Sequence, residues 1–307
     1  HKEYRRQRQM CIRDSGHAVE IVEITTEGDV NRASLAQMGG TGVFAAAIRR
    51  ALLDGEVDMA VHSLKDLPVA PEPGLVIAGI PVREDPRDTL IARDGLTLGE
   101  LPAGAVVGTG SPRRAAQLQA LGLGFEIRDI RGNIDTRMGY VTSGELDGVI
   151  LARAGLARVE RTDAISETID PLQMLPAPGQ GALGLECREG DARVIAALAE
   201  LDDADTRAAV TAERAVLGAL EAGCAAPVGA LAEIVEEPDG SLEISLRAFV
   251  GAPDGSFELR RSDVGSYDDP VAVGEALART LLDDGAGAVI PPRETPNPTT
   301  STKEAGA

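Results

Sequence analysis

Lysine is nearly missing from this chain. Of its 30 basic residues only three are lysines, Lys2, Lys65 and Lys303. Two of these lie in the end segments, so Lys65 stands alone in the body of a protein that otherwise uses arginine. Cysteine is as scarce: Cys11, Cys187 and Cys224. No pair of them has metal-ligand spacing, and three thiols cannot close a disulfide framework. Histidine is limited to His1, His17 and His62. A His-rich metal site is thereby excluded, and a Ser-His-Asp or Cys-His mechanism would have to rest on His62. No apolar run approaches the ~20 residues needed to cross a bilayer. No segment shows the basic, apolar, small-residue order of a signal peptide, so a cytoplasmic protein is expected. Positive charge is outweighed overall, with a net charge of −19. Nucleic acid is a poor partner for such a chain, because a phosphate backbone needs a basic face. A solvated acidic surface is the plain reading of that charge. An anionic ligand would require basic residues concentrated locally against it.

What is present is enough chain, 307 residues with 43% apolar content, for two or three domains and a sizeable core. Residues 1–15, HKEYRRQRQMCIRDS, are polar and basic without an apolar period, and read as a non-native or disordered leader. HAVEIVEITT, from His17, alternates β-branched residues like a strand. Phe44, Ile48 and Leu52 recur at helical spacing, and a strand is expected over Val57–Val61. That strand would deliver His62, Ser63, Lys65 and Asp66 to its C-terminal end, where open α/β sheets bind ligands. Further strands are expected at 105–108, 147–152 and 182–187. Helices follow Ser111 and Asn133 and occupy about 191–201 and 205–220. This alternation predicts a mainly parallel α/β sheet. After GCAAPVG the pattern changes to a hairpin with a Pro-Asp-Gly turn and a helix at 270–283, a small α+β unit. The tail from residue 291 is expected to be disordered.

Chemistry can be sought in three places. Lys65 and Asp66 put a lone ammonium beside a carboxylate at a strand end, a candidate for acid–base work or simply a surface ion pair. Arg113 and Arg114 fall in the first turn of a helix, where the macrodipole disfavours each cation by ~0.3–1 kcal/mol. An anion held by free backbone N–H groups would compensate for both; coding bias toward arginine is the other explanation. Arg131 and Arg137 flank the next helix start in the same way. Cys224 sits among small residues that would let a group approach its sulfur, although a buried inert thiol is the commoner case. Cys187 ends an apolar strand and reads as core. Neither GxxxxGK[ST] nor GxGxxG occurs at a suitable place, which argues against nucleotides.

Taken together, VHSLKDLP, REDPRDTL, GTGSPRR, RGNIDTR, LPAPGQGALGLECR and GCAAPVGA resemble the porphobilinogen deaminase (hydroxymethylbilane synthase) family, in that family's order, from about Gly16 to about Ile290. The resemblance implies a transferase of tetrapyrrole (heme) biosynthesis. It would join four porphobilinogens head to tail into hydroxymethylbilane and release ammonia. It implies a dipyrromethane cofactor in thioether linkage to Cys224 and Asp66 as the catalytic carboxylate. Lys65, Thr109, Ser111, Arg113, Arg114, Arg131 and Arg137 match cofactor-binding positions. Arg131, Arg137, Arg158 and Gln180 match positions that contact substrate or the growing chain, and Phe44 matches a lid aromatic. The implied fold has three domains. The first two resemble a type II periplasmic binding protein (16–82 plus 182–199, and 87–175), and the third, 204–290, carries Cys224. A monomer is expected.

The resemblance has gaps. The family opens on a strand and helix with an Arg-x-Ser-Pro-Leu-Ala type motif, for which residues 1–15 stand here. The chain as written is therefore expected to fold poorly or to turn over slowly. Thr41 stands where many relatives carry lysine. Two other readings share these residues. One is a non-enzymatic ligand-binding module, which would not need Asp66 or Cys224. The other is an enzyme using Lys65 as a Schiff base.

Overall fold

The computed structural model describes residues 19–24, 43–222 and 226–290. Its α/β elements fall into three sheets. The first contains β1 (Met59–Ser63), β2 (Leu75–Gly79) and β8 (Leu183–Arg188), with β8 in the middle. Helix α1 (Val43–Leu53) packs on it with Leu52 fully buried and Ile48 half-buried. The second is five-stranded, in the order β5-β4-β6-β3-β7, from β3 (Asp88–Ala92), β4 (Val106–Gly108), β5 (Glu126–Arg128), β6 (Gly148–Ala152) and β7 (Glu167–Thr168). Helices α2 (Pro112–Ala120), α3 (Ile134–Thr142) and α4 (Arg153–Arg158) connect its strands. The third sheet is a meander of β9 (Val228–Glu236), β10 (Leu242–Gly251) and β11 (Glu258–Ser266). It is backed by α6 (Ala204–Ala219) and α7 (Pro270–Asp283), while α5 (Ala192–Ala199) covers β2 and β8.

The chain crosses between the first two sheets twice, before β3 and before β8. Two lobes joined by two crossings fit the arrangement implied by the resemblance. The crossing segments touch: Glu84 N–H donates to the Gly181 carbonyl at 3.3 Å. Gly181 has a φ of +87°, and a Cβ there would collide with the Glu84 carbonyl, so only glycine lets the segments approach.

Local signals in the sequence give the helix starts. Ser111 caps α2 by accepting from Arg114 N–H, with Pro112 as the first helical residue. Asn133 caps α3 through Thr136 N–H at 2.8 Å. The hairpin around the Pro-Asp-Gly turn forms as read, β10 pairing with β11 from Glu243–Ser266 to Gly251–Glu258.

Three expectations are corrected. The sheets are not mainly parallel. Among the described strands only β4–β5 and β4–β6 are parallel, whereas every described pairing in the first and third sheets is antiparallel. In the second sheet β3, laid down directly after the first crossing, runs against β6 and β7. Helix–strand alternation along the chain does not reveal the direction in which a crossing strand enters. Residues 19–24, expected within a strand, carry no regular element and are largely exposed. β-branched alternation makes a strand only where a neighbour completes the ladder. Finally, the strand expected at Val57 begins at Met59, because Val57 N–H is used in the turn, donating to the Ala51 carbonyl at 3.4 Å.

Candidate functional site

The site lies between the first two sheets, where strand ends of each meet the crossing segments. Strand β1 runs into a single 3-10 turn, Leu64–Asp66. Leu64 is buried as the anchor of that turn, Lys65 is half-buried, and Asp66 is exposed. Across from it, α2 presents Arg113 and Arg114, both buried. They do not project freely toward a ligand as their place in the first helical turn suggests. Asp88, at the start of β3 and fully buried, holds them both. Its Oδ1 accepts from Arg114 Nη2 at 2.7 Å and from Arg114 Nε at 3.1 Å, and its Oδ2 lies 2.7 Å from Arg113 Nη1.

Asp88 was not singled out in the sequence, and it is the centre of this cluster. A signal was available: an acidic residue opening an otherwise apolar, fully buried strand has to be paired with something. Burial raises the Asp88 carboxyl, but the two guanidiniums more than reverse this and hold it well below the usual carboxylate range.

Gln180 ties the two walls together from the second crossing segment. Its amide donates to Asp88 Oδ1 at 2.8 Å and to the Pro86 carbonyl at 2.6 Å. Its Oε1 accepts from Lys65 Nζ at 3.4 Å. Lys65 thus faces Asp66, Arg114, Asp88 and Arg113, and its pKa falls to about 8, chiefly because burial strips water from the ammonium. Burial also lowers Arg113, whose neighbour Arg114 adds repulsion.

The other expected residues gather around this core. Arg137 is pulled down by burial and by the positive charge of Arg114 and Arg131. Arg137 Nε donates to the Gly132 carbonyl at 2.8 Å, and Arg131 lies 3.5 Å from Asp129. Thr109 is buried ahead of α2, its hydroxyl accepting from Ser111 N–H at 3.2 Å. Arg158 Nη2 donates to the Gly181 carbonyl at 2.6 Å, next to Gln180. Phe44 falls in the first turn of α1, but its side chain lies outside the described residues, and Cys224 lies outside them altogether. Cys187 is buried in β8, as read, and its thiol is pushed up by burial.

The charge account of this cluster does not close. Arg113 and Arg114 share one fully buried carboxylate, that of Asp88. Arg113 Nε and Arg131 Nε are buried without a hydrogen-bond partner among the described residues. A site of this kind suits a ligand that brings several carboxylates.

Comparison with known proteins agrees with this chemistry. A family model described as "Porphobilinogen deaminase, dipyromethane cofactor binding domain" matches residues 5–196, a stretch that begins inside the polar leader. A second, "Porphobilinogen deaminase, C-terminal domain", matches residues 207–283. The porphobilinogen deaminase of Mycobacteroides abscessus is 59% identical over 284 residues, covering 91% of this chain and 92% of its own. That of Mycobacterium tuberculosis H37Rv is 59% identical over 275 residues, covering 88% and 89%. Among solved structures, a putative methionine-binding lipoprotein from Bacillus subtilis aligns over 66% of this chain and 85% of its own, at 16% identity and a TM-score of 0.40. A score this low leaves the fold resting on its own strand pairings. The sequence matches need no such support: the chain belongs to the porphobilinogen deaminase family.

Proposed function

We propose that this chain condenses four porphobilinogens head to tail, with loss of ammonia at each addition and one water cleaving the finished chain from its primer as hydroxymethylbilane, using Asp66 as its catalytic carboxylate and Cys224 as its attachment point. A dipyrromethane bound there supplies the primer from which the product grows. The residues present fit such a group. Porphobilinogen carries an acetate and a propionate, so a primer of two units brings four carboxylates to a site with surplus cations and two unpartnered guanidinium Nε atoms.

On the α2 wall Arg113 offers its unpartnered Nε to a cofactor carboxylate and Arg114, held by Asp88, adds positive charge to bind it, with Thr109 and Ser111 completing that end. Lys65 contributes a point charge from the opposite wall. Arg131, Arg137, Arg158 and Gln180 orient the incoming substrate and the growing product, and Phe44 closes over them. Asp66, exposed beside Lys65, stands where an arriving aminomethyl group can reach it. It gives a proton to the departing amine as the C–N bond breaks, and its carboxylate then steadies the positive charge left on the pyrrole. Three domains accompany this reading, 16–82 plus 182–199, 87–175 and 204–290, in a cytoplasmic monomer.

The observation that carries the proposal is the buried cationic surplus around Asp88, next to an exposed carboxylate. Intact mass of the full chain, made in a host that supplies porphobilinogen, tests it. An added mass of two porphobilinogens less two ammonias is expected, absent from Cys224→Ser. Asp66→Asn is expected to lower turnover by about 10²–10⁴-fold. An unmodified wild-type mass, or full turnover by Asp66→Asn, overturns the reading.

A further inference from the structure

The turn that carries Lys65 and Asp66 is held by a residue from the third sheet's layer. Arg214 lies on α6, and its guanidinium spans the turn. Nη1 donates to the Leu64 carbonyl at 3.0 Å and to the Leu67 carbonyl at 3.0 Å, and Nη2 donates to the Pro68 carbonyl at 2.7 Å. These three acceptors bracket Lys65 and Asp66 on both sides. A single 3-10 turn has few bonds of its own: Leu67 N–H returns to the Leu64 carbonyl at 3.2 Å, and Leu64 N–H reaches the Ala182 carbonyl at 3.0 Å. Three donors in a rigid planar fork therefore add more order here than the turn itself supplies.

The neighbouring residue on α6 grips the crossings. Glu213 is fully buried and accepts from Arg83 Nη1 at 2.6 Å, Arg83 Nη2 at 2.9 Å and Gly179 N–H at 2.6 Å. Arg83 Nε in turn donates to the Gln180 carbonyl at 2.8 Å. Two adjacent residues of one helix thus hold the turn bearing Asp66 and the segment bearing Gln180.

We infer that Arg214 is a positioning residue, fixing the Leu64–Asp66 turn so that Lys65 and Asp66 keep their station opposite Arg113 and Arg114. The inference rests on the reading of Lys65 and Asp66 as site residues. It assigns to α6, which leads toward Cys224 in the chain, a direct hold on the reacting side of the cleft. Three of the Arg214 donors go to backbone carbonyls of the turn, so its effect on the reaction runs through Lys65 and Asp66.

Arg214→Met removes all three bonds while keeping an apolar stem. The full chain is weighed to count the fraction carrying the adduct, and turnover is expressed per loaded chain. A loss of about ten- to a hundredfold in kcat is expected, with KM changed much less, since misplacement of a reacting group by about 1 Å costs on this scale. A second readout needs no turnover. Acetic anhydride labelling of the full chain before loading reports Lys65 separately from Lys2 and Lys303, which fall in different peptides. Its midpoint, about pH 8 in the intact turn among Asp66, Arg114, Asp88 and Arg113, is expected to rise as the loosened turn readmits water. Arg214→Lys keeps the charge but cannot span three carbonyls, and is expected to fall short of wild type in the same two readouts. It serves as the deciding variant if Arg214→Met does not fold. Wild-type kcat per loaded chain and an unmoved Lys65 midpoint in the folded variant would overturn the inference, even if its Tm is lowered. A wild type that forms no adduct would instead sink the reading of the site, so the two failures are distinguishable.

Discussion

Two buried clusters of arginine and carboxylate flank the crossing segments, and they balance differently. On one side Arg83 meets Glu213, which also takes two backbone N–H groups, Gly179 and Ala232, at 2.6 and 2.9 Å. Every strong acceptor there has a donor. On the other side Arg113 and Arg114 share Asp88. The Arg83–Glu213 pair closes its charge, as a pair that holds the fold should, because an unpaired buried ion is costly. The cluster with two guanidiniums on one carboxylate is the one we propose receives a ligand, and on that reading the fold bears the cost until the ligand arrives.

Three substitutions would break or sharpen this contrast. Glu213→Ala strands Arg83 and two N–H groups, and should cost about 3–5 kcal/mol of stability, read as a fall in urea midpoint. Lys65→Met acts in the opposite sense on the cofactor-free chain. The folded pKa of Lys65, about 8, lies below its ordinary value of 10.5. Its burial cost is thus fully present below about pH 8, fades as pH rises toward 10.5, and is gone above that. At pH 7 the Met variant should be more stable by on the order of 1–3 kcal/mol, a range kept low because the residue as a whole is only half-buried. Its stability should also lack the wild-type rise between those pH values, and it should load cofactor poorly. A Lys65→Met chain that is less stable at pH 7 would show that the surplus charge is already compensated. The smallest effect is expected on the surface of α1, where Arg50 and Asp54 pair at 3.3 Å in open water. Arg50→Ala should change stability by less than about 0.5 kcal/mol.

Legibility in the sequence followed distance along the chain. Ser111 and Asn133 announce their helices because a cap bonds a neighbour three residues on, and the Pro-Asp-Gly hairpin is equally local. Lys65 and Asp66 stood out by composition. Asp88 did not, because REDPRDTL offers two aspartates of the same kind. Asp85 turns to Arg87 two residues away, whereas Asp88 meets Arg114 across 26 residues and Gln180 across 92. Arg214 was silent for the same reason, its acceptors lying some 150 residues upstream. Strand direction was misjudged because it depends on how a crossing segment re-enters a sheet, which no periodicity encodes.

The placing of β8 has a consequence for the order in which this protein can be made. In the first sheet β1 and β2 do not pair with each other; each pairs with β8 between them. Both flanking strands leave the ribosome first, and the strand that joins them follows only after the whole second sheet. At about 5–20 residues per second, the roughly 100 residues between Gly79 and Leu183 take on the order of 5–20 s to emerge. During that interval β1 and β2 have no partner among the described strands, while the second sheet emerges in full. The lobe whose first strand leads into Lys65 and Asp66 is therefore the later of the two to close during synthesis.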